Sequence, residues 1–434
     1  MARFLVATTA FPAHLDWGGL LSTAQHLYAD GHDVLWLTGS ALTERLQREG
    51  AQVRSIPTVD PHRDGKHREF LGPDADRRVI VDTWRAAFHA PRDPAIPFPR
   101  RLVPSYTFLI RLLTESWLYE EAMANCCDAI AAIIKEWLPD VLIAEPFMLP
   151  AALAAEAAGV PLASCGYPGP LLTLQPLPEV AKVARQVHDT LTRLRRRLHL
   201  STLPPRPDVD LFFAAPNLQI VFFPPDWYGD LSGPVSPGVQ FVGSTSMVNG
   251  GEPENDGATG QRPLVVMAVA SSYLPDPRVL RAMFDGVGRV DGSGVIGGCP
   301  ELRPLFEPLP RHIRWERWVC YDEVLPNAAA IVHHGGLGTT HAAVHAATPQ
   351  LVLPGPIDQC LHAEAVARAG AGLMHVGPLT AEALGGRLRE LLSSAQYRRS
   401  ALRLREHFGR FGGVSRAAAL LVDLARTHHP SKAN

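Results

Sequence analysis

The chain has 434 residues, of which 46% are hydrophobic and 19% are charged, and its formal net charge is −2. This length suits two or three domains with substantial cores, and the composition is that of an ordinary globular enzyme. A nearly neutral chain has no overall attraction for nucleic acid or for an anionic membrane, and no apolar run reaches the roughly 20 residues that a membrane span needs. Six scattered cysteines without paired spacing, and the lack of a signal-peptide pattern, predict reduced thiols and a cytoplasmic protein.

The first part of the chain alternates apolar strands with helices. Residues 4–8 read as a buried strand, residues 20–30 have helical spacing and stop at Gly31, and residues 34–37 read as the next strand. The chain therefore opens with a β–α–β unit. After a long stretch rich in proline and arginine, residues 57–104, the alternation continues, which predicts an open parallel sheet. The further predicted elements of this part are strands at 53–56, 141–144 and 161–164 and helices at 106–137 and 150–158.

A basic helix and a polar linker follow. Residues 183–200 predict a helix with four arginines between positions 193 and 197. Because the chain is nearly neutral and no aromatic residues interleave with these arginines, we interpret the helix as a solvated face rather than a nucleic-acid surface. Residues 243–262 are rich in Gly, Ser and Asn and predict a linker. The predicted division of the chain is a domain at 1–243, a linker at 244–262, a second α/β domain at 263–415 and a final helix within 416–434.

Residues 331–359 are the most informative segment. A short apolar strand breaks at a run of glycines and turns into a helix, and a second strand then leads to Asp358 and Gln359. A glycine-rich turn before a helix exposes backbone N–H groups at the positive end of the helix dipole, which suits phosphate. His334 adds a donor for a phosphate oxygen, and the carboxylate–amide pair suits a polyol. The segment therefore predicts a nucleotide-sugar site.

This half of the chain resembles the family 1 nucleotide-sugar glycosyltransferases. The resemblance rests on an ordered set of motifs: R-W-E-R-W-V-C-Y-D-E-V-L-P, A-A-I-V-H-H-G-G-L-G-T-T-H and P-Q-L-V-L-P-G-P-I-D-Q. The first half is similar more loosely, through G-H-D-V and L-P-D-V-L-I-A-E-P. The resemblance implies the α/β GT-B fold, with two Rossmann-like doubly wound domains facing across a cleft. It also implies that domain 1–243 binds the acceptor, that domain 263–415 binds the donor, and that the helix within 416–434 packs back on the first domain.

The resemblance assigns the donor site residue by residue. His334 matches the family's phosphate-contacting histidine, for which a core or capping histidine is the alternative. Ser271 matches a serine that faces the same phosphates, and a helix cap is its alternative. Asp358 and Gln359 match the pair that hydrogen-bonds the sugar hydroxyls. The other donor-site assignments are Gly336, Gly338 and Thr339 for the diphosphate and Trp318 and Val319 for the base.

The nucleoside end departs from the family pattern. Cys320-Tyr321 replaces the usual Pro-Gln, and Ala342 replaces the glutamate that contacts ribose in many plant-like members. The backbone of Val319 would read either uracil or thymine, so UDP and dTDP both remain open. The missing glutamate favours the bacterial antibiotic-type transferases. His341, beside Ala342, is predicted to be an exposed helix residue, with a substitute for the missing glutamate as its alternative role.

The predicted catalytic base lies in the loop after the first strand. Most of the family has a histidine there, whereas counting back from Gly31 puts Asp16 at that position, as in the vancomycin-type transferases. A typical aspartate has a pKa of about 4 and is ionised at neutral pH, so it can accept a proton late in the displacement. We therefore assign Asp16 as base and His14 as second choice, with a helix N-cap as the alternative role of Asp16. Glu145, where the family often has an aspartate, would bind the acceptor or cap the next turn.

Together these residues imply an inverting, metal-independent glycosyltransferase that uses no cofactor besides its co-substrate. It would move a hexose or deoxyhexose from a UDP- or dTDP-sugar to a hydroxyl, or an activated aromatic carbon, of an apolar natural-product aglycone. The alternatives are a lipid or sterol acceptor, a non-catalytic auxiliary protein, and a nucleotide-sugar epimerase. Besides donor and acceptor, the expected partner is a second copy or an auxiliary activator, and nucleic acid is not expected. The D-x-D triplets at 74–76 and 208–210 are interpreted as chance.

Overall fold

The structure is a computed structural model. It describes several separate stretches of the chain, which form two compact units. The first unit contains residues 1–57, 120–245 and 411–428, and the second contains residue 95 and residues 262–410, each over its described parts. The predicted linker lies largely outside the described residues, as do both D-x-D triplets. The described residues are 1–9, 19–57, 95, 120–146, 148–166, 178–201, 216–229, 238–245, 262–269, 276–355 and 358–428, with the backbone alone for 41 and 178–187.

Within these stretches, the first unit is built on a parallel sheet of seven strands. The strands are β1 Arg3–Ala7, β2 Asp33–Thr38, β3 Gln52–Ser55, β4 Val141–Ala144, β5 Leu162–Gly166, β6 Leu218–Val221 and β7 Val239–Phe241. Their order across the sheet is β3-β2-β1-β4-β5-β6-β7, so it reverses between β1 and β4. Strand β1 is a continuous apolar run because both faces are covered: Phe4 and Val6 enter one core cluster, and Leu5 and Ala7 enter the other. The open parallel sheet predicted from the sequence is confirmed.

The second unit repeats this plan with six parallel strands in its described part. The strands are β8 Leu264–Ala268, β9 Ser293–Gly297, β10 Ile313–Glu316, β11 Ala330–His333, β12 Gln350–Val352 and β13 Gly372–Met374. Their order is β10-β9-β8-β11-β12-β13, and the reversal lies between β8 and β11. Its two faces are again separate cores, since Val265 and Met267 point to one cluster and Val266 and Ala268 to the other.

Helices cover these sheets, and the last one completes the first unit. The helices are α1 Leu20–Ala29, α2 Ser40–Arg48, α3 Glu120–Trp137, α4 Leu149–Ala158, α5 Pro178–Arg197, α6 Pro277–Gly288, α7 Tyr321–Val324, α8 Leu337–His345, α9 Asp358–Arg368, α10 Ala381–Ser393, α11 Ala395–Gly409 and α12 Gly413–His428. Val414 and Leu421 of α12 share a core cluster with Leu20 and Leu27 of α1. Short 3-10 segments occur at Pro300–Phe306 and Leu325–Asn327.

The basic helix α5 is tied to acidic residues on neighbouring helices. Its arginines reach carboxylates of α3 and α4 at ion-pair distance, so their charges are largely neutralised within the protein. This arrangement argues against a nucleic-acid surface. The sequence predicted a solvated helix face, and the structure shows in addition that these arginines form ion pairs with neighbouring helices. The pairs are Arg193–Glu120 at 2.5 Å, Arg195–Glu156 at 2.6 Å and Arg197–Asp128 at 2.7 Å.

Among the helices in the described stretches, none combines the length and apolar character needed to cross a membrane.

Candidate active site

The candidate site lies where the strand order of the second sheet reverses. Strands β8 and β11 are neighbours there, and Ala268 pairs with His333 at their carboxyl ends. In open α/β sheets, ligands bind at this point because the connections on either side leave toward opposite faces of the sheet. The chain leaves β11 through His334 and enters α8 after Gly336, so the glycine-rich turn stands at the binding edge.

Helix α8 starts without a side-chain cap. Its N-cap residue, Gly336, has extended backbone with φ −60° and ψ 146° and no side chain to offer. Thr340 holds the turn from within the helix, because its Oγ1 donates to the Gly336 carbonyl oxygen at 2.9 Å. Gly338 and Thr339 lie in the first turn, where backbone N–H groups have no intrahelical acceptor. These N–H groups at the positive helix end suit a diphosphate.

His333 is a structural part of this turn. Its side chain is fully buried, its Nδ1 accepts from the Gly335 N–H at 3.2 Å, and its Nε2 lies 3.0 Å from Gln350 Oε1. Because Nδ1 accepts, the proton is on Nε2, which donates to the amide oxygen. Burial lowers the pKa of His333 to about 3, so the ring is neutral at physiological pH. The residue fastens the turn to β12.

Two glycines set the shape of the turn for different reasons. Gly335 has φ +89°, and a Cβ there would lie 2.5 Å from the Gln359 carbonyl oxygen. The turn therefore runs directly against the start of α9. Gly336 has ordinary backbone, but a Cβ on it would collide with the His334 ring. The imidazole thus folds over the N-cap of α8, beside the first-turn N–H groups.

His334 is a neutral donor in this environment. Burial is the largest influence and lowers the pKa of His334 to about 4. His362 also lowers this pKa, whereas the Asp358 carboxylate and a hydrogen bond to the Ala268 backbone raise it. A neutral imidazole carries one N–H. An arriving phosphate would raise this pKa, because a nearby negative charge favours the protonated form.

Asp358 and Gln359 open α9 on the other side of the turn. The Asp358 side chain is 14% exposed, and its Oδ2 lies 3.4 Å from Nε2 of the buried His362. Gln359 touches the turn through its backbone at Gly335. The phosphate-binding and sugar-binding residues predicted from the sequence are therefore adjacent, which is the arrangement that a sugar linked to a diphosphate requires.

The predicted nucleoside end follows β10. Val319 is buried and packs so closely against the end of β9 that a Cβ on Gly297 would lie 2.9 Å from its Cγ2. Trp318 beside it is 74% exposed. Burial raises the pKa of Tyr321 to about 12, and a hydrogen bond from the Thr339 side chain works against this shift. Tyr321 thus links the nucleoside end to the first turn of α8.

Comparison with known proteins shows what the chain is similar to. The model of the C-terminal domain of the erythromycin biosynthesis protein CIII-like family matches residues 281–409. The chain is 32% identical to the L-demethylnoviosyl transferase of Streptomyces niveus over 58% of this chain and 62% of that protein, which is less than two thirds of its length. It is 25% identical to the TDP-daunosamine transferase DnrS of Streptomyces peucetius over 98% of this chain and 97% of that protein.

The solved structure of the glycosyltransferase VinC in complex with dTDP has the same fold, with a TM-score of 0.65 at 18% identity over 98% of this chain and 100% of that chain. The chain therefore has the GT-B fold, and its sequence is similar to those of natural-product sugar transferases. The resemblance and the fold class predicted from the sequence are confirmed.

Not every site residue predicted from the sequence falls in the described stretches. Asp16 and His14, the predicted base and its alternative, lie outside them, and so does Ser271. The donor-side residues from Trp318 to Gln359 are described. In the parts of the chain that the structure describes, no group of three or more His, Cys, Asp or Glu side chains is arranged to hold a metal ion.

Glu145 has a role that the sequence did not reveal. Its side chain is buried at the carboxyl end of β4, where the strand order of the first sheet reverses. One carboxylate oxygen accepts the Thr9 backbone N–H at 2.6 Å and the Thr9 hydroxyl, and the Glu145 carbonyl oxygen accepts the Met148 N–H at 2.9 Å. Glu145 thus fixes the chain just after β1. The one sequence signal for this role was a carboxylate directly after an apolar strand, which indicates a buried acid that needs a hydrogen-bond partner.

The prediction of an exposed His341 is wrong. The side chain is buried in α8, and its ring stands edge-on to Phe408 of α11 with centroids 5.7 Å apart. Helix α11 covers this face of α8, which no pattern within α8 indicates. His341 is therefore a packing residue.

Proposed function

We propose that this protein transfers a hexose or deoxyhexose from a nucleoside diphosphate sugar to a hydroxyl group of an apolar natural-product aglycone, with inversion at the anomeric carbon. The observation that carries the proposal is the uncapped start of α8 at the strand reversal, with His334 on one side and Asp358 on the other. A diphosphate and a sugar bound side by side match this set of groups. The family's relatives named above are sugar transferases, which supports the same chemistry.

A dTDP-linked donor is favoured over UDP. Ala342 stands where a glutamate contacts the ribose in many plant-like members, so the site offers no carboxylate there for a 2′-hydroxyl. A 2′-deoxyribose has no 2′-hydroxyl group, so the missing carboxylate does not weaken its binding. The name of the daunosamine transferase includes TDP, and VinC was solved with dTDP, which supports the same preference.

In the proposed reaction, the negative charge that develops on the departing diphosphate meets the first-turn N–H groups of Gly338 and Thr339 and an N–H of His334, whose ring gains a second N–H when the diphosphate raises its pKa. Fixed donors aimed at developing charge lower the barrier without reorganising during the reaction. Asp358 and Gln359 hold the sugar so that its anomeric carbon faces the acceptor. Asp16 accepts the acceptor proton as the new glycosidic bond forms. These donors supply charge stabilisation that a divalent metal supplies elsewhere, so we propose a metal-independent reaction.

A binding experiment tests the donor side. Thermal shift and calorimetry with dTDP, UDP and GDP should rank dTDP first, and His334→Ala should weaken dTDP binding by about 10- to 150-fold, because a hydrogen bond to a charged group contributes about 1.5–3 kcal/mol. Addition of EDTA should leave dTDP affinity and turnover unchanged. Absence of any dTDP or UDP binding by the wild type would refute the proposed function.

A kinetic experiment tests the base. With a dTDP-sugar and a panel of apolar aglycones, Asp16→Asn should lower kcat by about 10²–10⁴-fold, the usual contribution of general base catalysis, at unchanged dTDP affinity. His14→Ala should have the smaller effect. The anomeric configuration of the product, read by NMR, should be inverted. If Asp16→Asn turns over as fast as the wild type, the assignment of the base is wrong.

A further inference from the structure

His362 lies one helical turn after Asp358 on α9. Its side chain is fully buried, and its Nε2 is 3.4 Å from Asp358 Oδ2. Residues four apart share one face of a helix, so the imidazole supports the carboxylate from beneath. Asp358 is 14% exposed and reaches the surface of the site, whereas His362 does not.

The position of His362 connects it to the phosphate side as well. Among the influences on His334, burial comes first, the Asp358 carboxylate raises the pKa of this ring, and His362 lowers it. The three side chains are therefore close enough to interact electrostatically. Asp358 thus interacts with two imidazoles, one from the glycine turn and one from its own helix. A carboxylate with a buried imidazole 3.4 Å away has fewer favourable orientations than one on an open helix end.

We propose that His362 is a positioning residue for the donor sugar, which holds the Asp358 carboxylate in the orientation that receives the sugar hydroxyls. The proposal rests on the proposed function, because it takes Asp358 as a sugar contact. Oδ2 is turned toward His362, so Oδ1 is the oxygen that faces the sugar. Fixing the carboxylate before the donor arrives removes the entropy cost of ordering it during binding. His362 itself is buried and does not contact the sugar.

The test separates sugar binding from diphosphate binding. His362→Leu keeps the bulk but removes the ring nitrogen, and His362→Gln retains a donor at about the position of Nε2. His362→Leu should raise the KM for the dTDP-sugar about tenfold and change dTDP affinity by less than about twofold, because the diphosphate does not touch Asp358. His362→Gln should restore most of the donor KM. His362→Asn, which is polar but too short to reach Asp358, should behave like the leucine variant and serves if that variant folds poorly.

His312→Leu is the matched control. His312 is another histidine of the second unit, partly buried where His362 is fully buried, and its Nε2 lies 2.9 Å from the Phe284 carbonyl oxygen. It precedes β10, so it lies at the amino ends of the parallel strands, whereas the candidate site lies at their carboxyl ends. This variant should lose thermal stability with the KM for the dTDP-sugar unchanged.

The outcomes are distinct. An unchanged KM for the dTDP-sugar in His362→Leu and His362→Asn would overturn the proposal, as would a parallel loss of dTDP and dTDP-sugar binding, which would mark His362 as a purely structural residue. Failure of His362→Gln to improve on His362→Leu would also overturn it. A wild-type protein that binds neither dTDP nor a dTDP-sugar refutes the proposed function itself, before the variants are compared.

Discussion

Gly336→Ala is a sharp test of the donor site because the structure isolates its effect. The backbone of Gly336 has φ −60° and ψ 146°, which any residue adopts without strain. The added methyl group would collide with the His334 ring, so the substitution should displace the imidazole and leave the course of the chain unchanged.

The expected cost follows from the interaction that is lost. If the displaced ring no longer donates to the diphosphate, binding should weaken by about 1.5–3 kcal/mol, which is about a 10- to 150-fold rise in the Kd for dTDP. Isothermal calorimetry measures this change, and the unfolding free energy in urea shows whether the fold is intact. Gly386→Ala is the control, because a Cβ there meets nothing within 4 Å, and alanine is favoured over glycine in α10 by about 1 kcal/mol.

A double-mutant cycle decides whether the effect passes through the imidazole. In a His334→Ala background the methyl group has no ring to displace, so adding Gly336→Ala should cost less than about 0.5 kcal/mol of dTDP binding. If Gly336→Ala weakens dTDP binding equally in both backgrounds, the methyl group acts on the phosphate directly, and our account of the turn is refuted.

Two further predictions concern stability. Gly19→Ala should lower the unfolding free energy by about 2–4 kcal/mol, because φ is +73° and the Cβ would lie 2.5 Å from the Phe222 ring. Gly31→Ala, where φ is +82° and a Cβ would meet nothing, should lower it by only about 1–2 kcal/mol. Equal losses for the two variants in urea unfolding would contradict this. The lowered pKa of His333, about 3, means that the unfolded chain binds this proton more readily. The unfolding free energy should therefore fall as pH drops from 6.5 toward 4, with up to about 1.4 kcal/mol per pH unit from this residue; His333→Gln should reduce that slope, and an unchanged slope would mean that His333 is protonated in the folded protein.

The central strands and the glycine turn after β11 could be predicted from the sequence because their signals are local. Strand β4 is an uninterrupted apolar run, and its observed bounds, Val141–Ala144, are those predicted. The turn after β11 has glycines at positions that require them, and His334 precedes them directly. Helix ends have weaker signals in the sequence. The final helix was predicted within 416–434, whereas α12 begins at Gly413 and ends at His428.

The residues that sequence reasoning missed depend on tertiary neighbours. His341 is buried because α11 covers it, and Glu145 acts through Thr9, which lies 136 positions away. Their roles follow from which strands are adjacent, and adjacency of β1 and β4 is not visible in either segment alone. His362 was not singled out because its spacing from Asp358 becomes informative only once a helix is known to begin there.

The close approach of Gly335 to the Gln359 carbonyl oxygen has a practical meaning for altering donor choice. The turn proposed to receive the diphosphate and the helix proposed to receive the sugar pack closely at that contact, with no room for even one methyl group. A chimaera that exchanges only one of the two would combine surfaces that were not shaped together. Residues 331–368 should therefore be exchanged as one cassette between related enzymes, and sugar specificity should travel with the whole cassette.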